Sequence, residues 1–66
     1  MNTLEQTDKL VKHILKFYRP LKFQVYMNIN GDGVPVIEVI TDRNEIYELW
    51  FEETGGKYRI VTRFIK

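Results

Sequence analysis

The stretch ELWFEETGGKYRIV, residues 48–61, reads as two strands of alternating polarity joined at Gly55-Gly56. A two-residue Gly-Gly loop is the hairpin expected when both central residues need positive φ, and it pairs Thr54 with Lys57. Glu52 then faces Arg59, Trp50 faces Val61, Glu48 faces Arg63 and Ile46 faces Ile65 on one side of the ribbon. On the other side Phe51 faces Ile60, Leu49 faces Thr62 and Tyr47 faces Phe64. A one-residue slip would set Leu49 and Phe51 over arginines, so turn and apolar pattern select the same register.

The same parity holds upstream. A three-residue loop at Asp42-Arg43-Asn44 sets Val39 against Tyr47 and Ile37 against Leu49. A three-residue loop at Gly31-Asp32-Gly33 sets Met27 against Ile37 and Val25 against Val39. Four strands are thereby predicted at about 21–30, 34–41, 45–54 and 57–65. One sheet face is consistently apolar: Val25, Met27, Ile29, Ile37, Val39, Tyr47, Leu49, Phe51, Tyr58, Ile60 and Phe64. Pro35 falls in an internal strand, where it cannot donate to the ladder, so it is expected at a strand start or a bulge.

Ahead of the strands, Asn2-Thr3-Leu4-Glu5-Gln6 has the form of a capping box, with Thr3 accepting from the Gln6 N–H. At about 100° per residue, Leu4, Leu10, Val11, Ile14, Leu15, Phe17 and Tyr18 share one arc, and Glu5, Lys9, Lys12, His13 and Lys16 lie opposite. Pro20 disfavours the helical conformation at Arg19, so a helix over about 3–18 is predicted. The expected fold is α+β: one N-terminal amphipathic helix packed on one face of a four-stranded antiparallel meander, αββββ, in a single domain over residues 1–66.

Composition narrows the chemistry. A chain of 66 residues buries only about 60% of the surface its unfolded form exposes, so stability is expected to be marginal and dimerisation would raise it. Without cysteine, neither a disulfide nor a thiolate zinc site is available, which fits a cytoplasmic protein. No apolar run approaches the roughly 20 residues a membrane span needs, and no secretory signal pattern is expected. The net charge of +1 falls short of the strongly basic balance that marks many nucleic-acid binders.

The face opposite the helix is expected to be open to solvent or to a partner. With one helix committed to the other side, Tyr26, Ile40, Ile46, Glu48, Trp50, Glu52, Arg59, Val61, Arg63 and Ile65 are left for solvent or a partner. Trp50 beside Ile40, Ile46, Val61 and Ile65 makes an apolar strip rimmed by charge, and Trp, Tyr and Arg dominate binding hot spots. A protein partner or a homodimer is expected there. The alternative is nucleic acid, stacked on Trp50 and Tyr26 with Arg59 and Arg63 on phosphates, or held by the basic helix residues Lys9, Lys12, Lys16 and Arg19. Glu38, Glu48 and Glu52 on the same face oppose it.

No catalytic residue, cofactor, metal or membrane surface is expected. Asn28 to Gly33 imitates the opening of a calcium loop, but Val39 stands where the bidentate glutamate belongs. His13, the one histidine, has no nucleophile or carboxylate near it in sequence, and its predicted place is the exposed helix side. Glu48 and Glu52 lie about 13 Å apart along one strand, too far for a carboxylate pair.

Overall fold

The computed structural model describes residues 1–27 and 33–66. Helix α1, Thr3–Phe17, starts under Asn2, whose Oδ1 accepts from the Glu5 N–H at 2.8 Å while its backbone O takes the Gln6 N–H at 3.0 Å. The cap thus lies one residue before the Thr3 expected for it. Thr3 has another use: its hydroxyl donates to Gly33 O at 2.9 Å, and the Gln6 amide reaches Met1 O at 3.2 Å. A tertiary acceptor and an asparagine able to reach the orphan N–H together displace the local capping box. At the other end Tyr18 is extended (φ −120, ψ 163), its N–H bonded to Ile14 O, and the helix stops two residues before Pro20, whose ring disfavours the helical conformation at Arg19.

Strands β1 (Pro20–Met27), β2 (Pro35–Thr41), β3 (Ile46–Thr54) and β4 (Lys57–Phe64) form one antiparallel sheet in the order β1-β2-β3-β4. The β3–β4 ladder runs from Thr54↔Lys57 through Trp50↔Val61 and Glu48↔Arg63 to Tyr47↔Phe64, in the register set by the glycine turn. Gly55 and Gly56 hold φ of +59 and +78, the pair of positive values that the tight hairpin demands. Beyond the ladder Ile65 donates to Ile46 O and Ile46 donates to Lys66 O, so both end residues oppose Ile46.

The β2–β3 turn closes as a three-residue loop. Thr41 N–H reaches Glu45 O at 2.9 Å, and Asn44 takes the left-handed φ of 61 that such loops place at their last position. Thr41 Oγ1, in a residue only 5% exposed, accepts from the N–H groups of Arg43 and Glu45. Ile37↔Leu49 and Val39↔Tyr47 pair as expected.

The first hairpin departs from expectation. Val25 pairs with Ile37 and Phe23 with Val39, a shift of two residues from the anticipated Val25–Val39 and Met27–Ile37. The nearest described pair to the turn is Met27↔Pro35, so Gly31-Asp32-Gly33 does not by itself set the register, and residues 28–32 lie outside the described ones. An even shift keeps every side chain on its predicted face. The register also slips between Pro20 and Lys22, leaving Leu21 as the extra residue of a bulge. Pro35 begins β2, the strand start its missing N–H called for, and is fully buried.

Leu10 and Ile14 of α1 meet Ile37, Val39 and Leu49, all five fully buried, with Val11, Tyr18, Tyr47, Phe51 and Ile60 packed around them. The helix lies chiefly on β2, with fewer contacts to β3 and β1. One helix is narrower than a four-stranded sheet whose strands stand about 4.8 Å apart. The apolar arc and apolar sheet face are therefore only partly covered. Leu4, Leu15 and Phe17 on the helix, and Tyr58 and Phe64 on β4, stay exposed at 78, 61, 65, 40 and 59%.

Tyr47 sits between Tyr18 and Phe64, tilted to the first and edge-on to the second, with ring centroids 5.3 and 5.2 Å away. Burial first, and the Glu45 carboxylate second, hold its phenol above the ordinary value of 10.0. A folded value raised above the unfolded one means the neutral phenol's contribution is present below about pH 10 and is lost as pH climbs through the folded value. The thermal midpoint of wild type is expected to fall relative to that of Tyr47→Phe as pH rises through the folded value, a relative shift that a midpoint-versus-pH series of both proteins measures.

Candidate interaction surface

Side chains on the sheet face away from α1 fall into rows that cross the strands. Lys22, Ile40 and Ile46 pair across β1, β2 and β3, with Ile65 next in line beyond β4. The next row is polar: Gln24, Glu38, Glu48 and Arg63. Beyond it Tyr26 pairs with Val36 and Trp50 with Val61, and continuing the β2–β3 ladder by one step sets Val36 beside Trp50. Glu52 and Arg59 close the pattern at the hairpin end. Alternation along each strand brings one residue in two to this face, and register aligns them into a strip four strands wide.

The strip is less open than the sequence implied. Val36 is only 8% exposed although it lies on the face away from α1, paired with Tyr26 of β1. Trp50, Ile40, Ile46 and Val61 are half-buried, while Tyr26 and Ile65 are exposed at 39 and 44%. Large side chains on a twisted sheet shelter one another, an effect that strand alternation alone does not show.

The charges are arranged in pairs. Arg63 sends Nη2 and Nε to one oxygen of Glu48, at 2.6 and 3.1 Å, with the Glu48 side chain only 14% exposed. Arg59 reaches Glu52 at 3.4 Å, an exposed and looser contact. Glu48 also faces Glu38 directly across the ladder. Like charges directly opposite destabilise, so Arg63 offsets a repulsion as well as making a bond. Arg63→Glu puts a third carboxylate into that row and is expected to cost about 2 kcal/mol, seen as a lower denaturation midpoint. The double exchange Glu48→Arg with Arg63→Glu recovers most of that loss if the pairing is responsible.

The other sequence candidates are placed as follows. Lys12 is tied to Asp8 at 3.0 Å, Lys16 sits 5.3 Å over the Phe17 ring, and Lys9 and Arg19 are exposed. His13 is not on an open helix side: it is half-buried, its ring 4.8 Å from Phe17 and 6.2 Å from Tyr18. Its neighbours are aromatic because Tyr18 leaves the helix and folds back toward β3. The calcium-like stretch falls mainly on residues 28–32, outside the described ones.

A cleft of about 300 Å³ lies where the end of α1 meets the β2–β3 turn, lined by Phe17, Tyr18, Arg19, Thr41, Asp42, Arg43, Glu45 and Tyr47. Sequence reading missed it because its walls come from two separated segments brought together by the Asp42 N–H to Arg19 O bond. Charges of both signs and an open mouth give it no evident chemistry. Among the described residues no three potential metal ligands cluster, no buried side-chain polar atom lacks a partner, and no helix is long and apolar enough to cross a membrane. No protein-family model, curated protein or solved structure matches the chain.

Proposed function

We propose that this chain is a small non-enzymatic protein-binding module of the cytoplasm, a regulatory subunit or inhibitor, that engages a protein partner through the outer sheet face around Trp50. The observation that carries this reading is the row Tyr26, Val36, Trp50 and Val61, apolar across all four strands on a face that α1 leaves uncovered. Ion pairs at Glu48–Arg63 and Glu52–Arg59 border it, the apolar centre and polar rim of a protein interface. The partner is therefore expected to present an apolar ridge and to bind with little dependence on salt.

Nucleic acid is the alternative, with bases stacked on Trp50 and Tyr26. It is favoured less because Arg59 and Arg63, the groups that would meet phosphates, are already held by Glu52 and Glu48. The test compares ligands retained by immobilised wild type and Trp50→Ala at low and high salt. A protein kept in high salt by wild type and lost by the variant supports the reading. Retention of nucleic acid that disappears in high salt, and with Arg59→Ala, would replace it.

A further inference from the structure

The sheet has two edges, and they differ. Strand β4 carries Lys57, Arg59 and Arg63, the kind of charged edge that resists pairing with another strand. Strand β1 carries Lys22 alone, within Leu21-Lys22-Phe23-Gln24-Val25-Tyr26. The direction of its main chain follows from the ladder. Thr41 of β2 bonds toward β3, so by alternation Ile37 and Val39 do too, while Glu38 and Ile40 bond toward Gln24 and Lys22 of β1. The N–H and C=O groups of Phe23 and Val25 then point away from the sheet, at an edge with no neighbouring strand among the described residues.

That edge is self-complementary. Set antiparallel to a copy of itself about Gln24, Phe23 meets the other copy's Val25 in both directions, in the geometry that exchanges two main-chain bonds per pair. Lys22 then meets Tyr26 rather than a second Lys22, so no like charges oppose. The Tyr26 hydroxyl already donates to Gln24 Oε1 at 2.8 Å, leaving the Gln24 amide N–H groups for the seam.

The helix supplies a second layer. Tyr18 packs on Tyr47 of β3 and His13 lies beside Tyr18, so the His13 flank of α1 faces β3. Leu4, Val11 and Leu15, on the opposite flank at about 100° per residue, face the β1 side. Leu4 and Leu15 are 78 and 61% exposed, and below them Phe23 and Val25 are 37 and 40% exposed. A two-fold axis through Gln24 and normal to the sheet puts both helices on one face, with these apolar flanks across the seam from each other.

We propose that two copies of this chain join through their β1 edges, antiparallel about Gln24, merging two four-stranded sheets into one of eight strands. The contact is isologous and closes on itself, so it ends at the dimer. It leaves the Trp50 face open and does not depend on what binds there.

Sedimentation equilibrium up to about 1 mM tests it, with circular dichroism to confirm that each variant folds. Val25→Pro removes an outward N–H and no β1–β2 bond; two bonds are lost per dimer, and dissociation should strengthen about thirtyfold. Gln24→Lys, which faces Glu38 within its own copy, brings two lysines together at the axis and should weaken the dimer about fivefold. Mixing it with Gln24→Glu should restore association. A wild type that stays monomeric throughout overturns the proposal, as does a dimer indifferent to Gln24→Lys. A dimer abolished by Trp50→Ala but not by the β1 variants would move the seam to the outer face and also overturn it.

Discussion

Leu49→Ala is expected to destabilise the fold by about 3 kcal/mol, within the usual range for a leucine removed from a closed core. Leu49 is fully buried, sits on a central strand under α1 and packs in one cluster with Leu10, Ile14, Ile37 and Val39. A domain of this length has a total stability of about 3–10 kcal/mol, so the variant is expected to lose about a third of it or more and to unfold at a markedly lower urea concentration. Phe64→Ala is the matched control. It removes a larger side chain from the same sheet face, yet Phe64 is 59% exposed because α1 does not extend over β4, and its loss should cost less than about 1 kcal/mol. Urea titration of both decides the matter. Equal losses would mean that something covers β4, and a harmless Leu49→Ala would put the core elsewhere.

Trp50→Ala should separate binding from folding. Within the chain, the half-buried indole lies opposite Val61, so its removal should lower stability by about 1 kcal/mol and the midpoint by about 4–8 °C. At the interface the indole is the largest apolar group on the outer face and lies at its centre. Hot spots of this type cost 2 kcal/mol or more on truncation, a loss of about thirtyfold in affinity. Titration of the retained partner with folded Trp50→Ala measures this, and Arg59→Ala, at the solvated rim, should change affinity little. If Arg59→Ala is the more damaging of the two, binding rests on charge and the outer-face reading fails.

Much of the fold could be read before any coordinates because its turns are chemically specific. Gly55-Gly56 admits one short hairpin, and Asp42-Arg43-Asn44 ends in an asparagine that tolerates positive φ, so both ladders of the β2–β3–β4 half stand in the expected register. Alternation then assigned each described strand residue to its face, and with it the Trp50 row and the Glu–Arg pairs. The β1–β2 pairing was shifted by two because parity is encoded residue by residue, whereas the length of the connection is not. The capping box at Thr3 is a local pattern, whereas the bond from Thr3 to Gly33 that displaces it is one that only folding creates.

Periodicity therefore determined which side of each strand and which arc of α1 is apolar, and turn chemistry determined where the chain reverses. How much of each apolar surface is covered was decided by tertiary packing alone. A single helix seated over β2 covers about the width of a helix, so Leu49 closes into the core while Leu4, Leu15, Phe23, Val25 and Phe64 remain at the margins. Hydrophobic pattern reports the preference of a side chain to leave water, and position relative to the helix axis decides whether this chain can satisfy it.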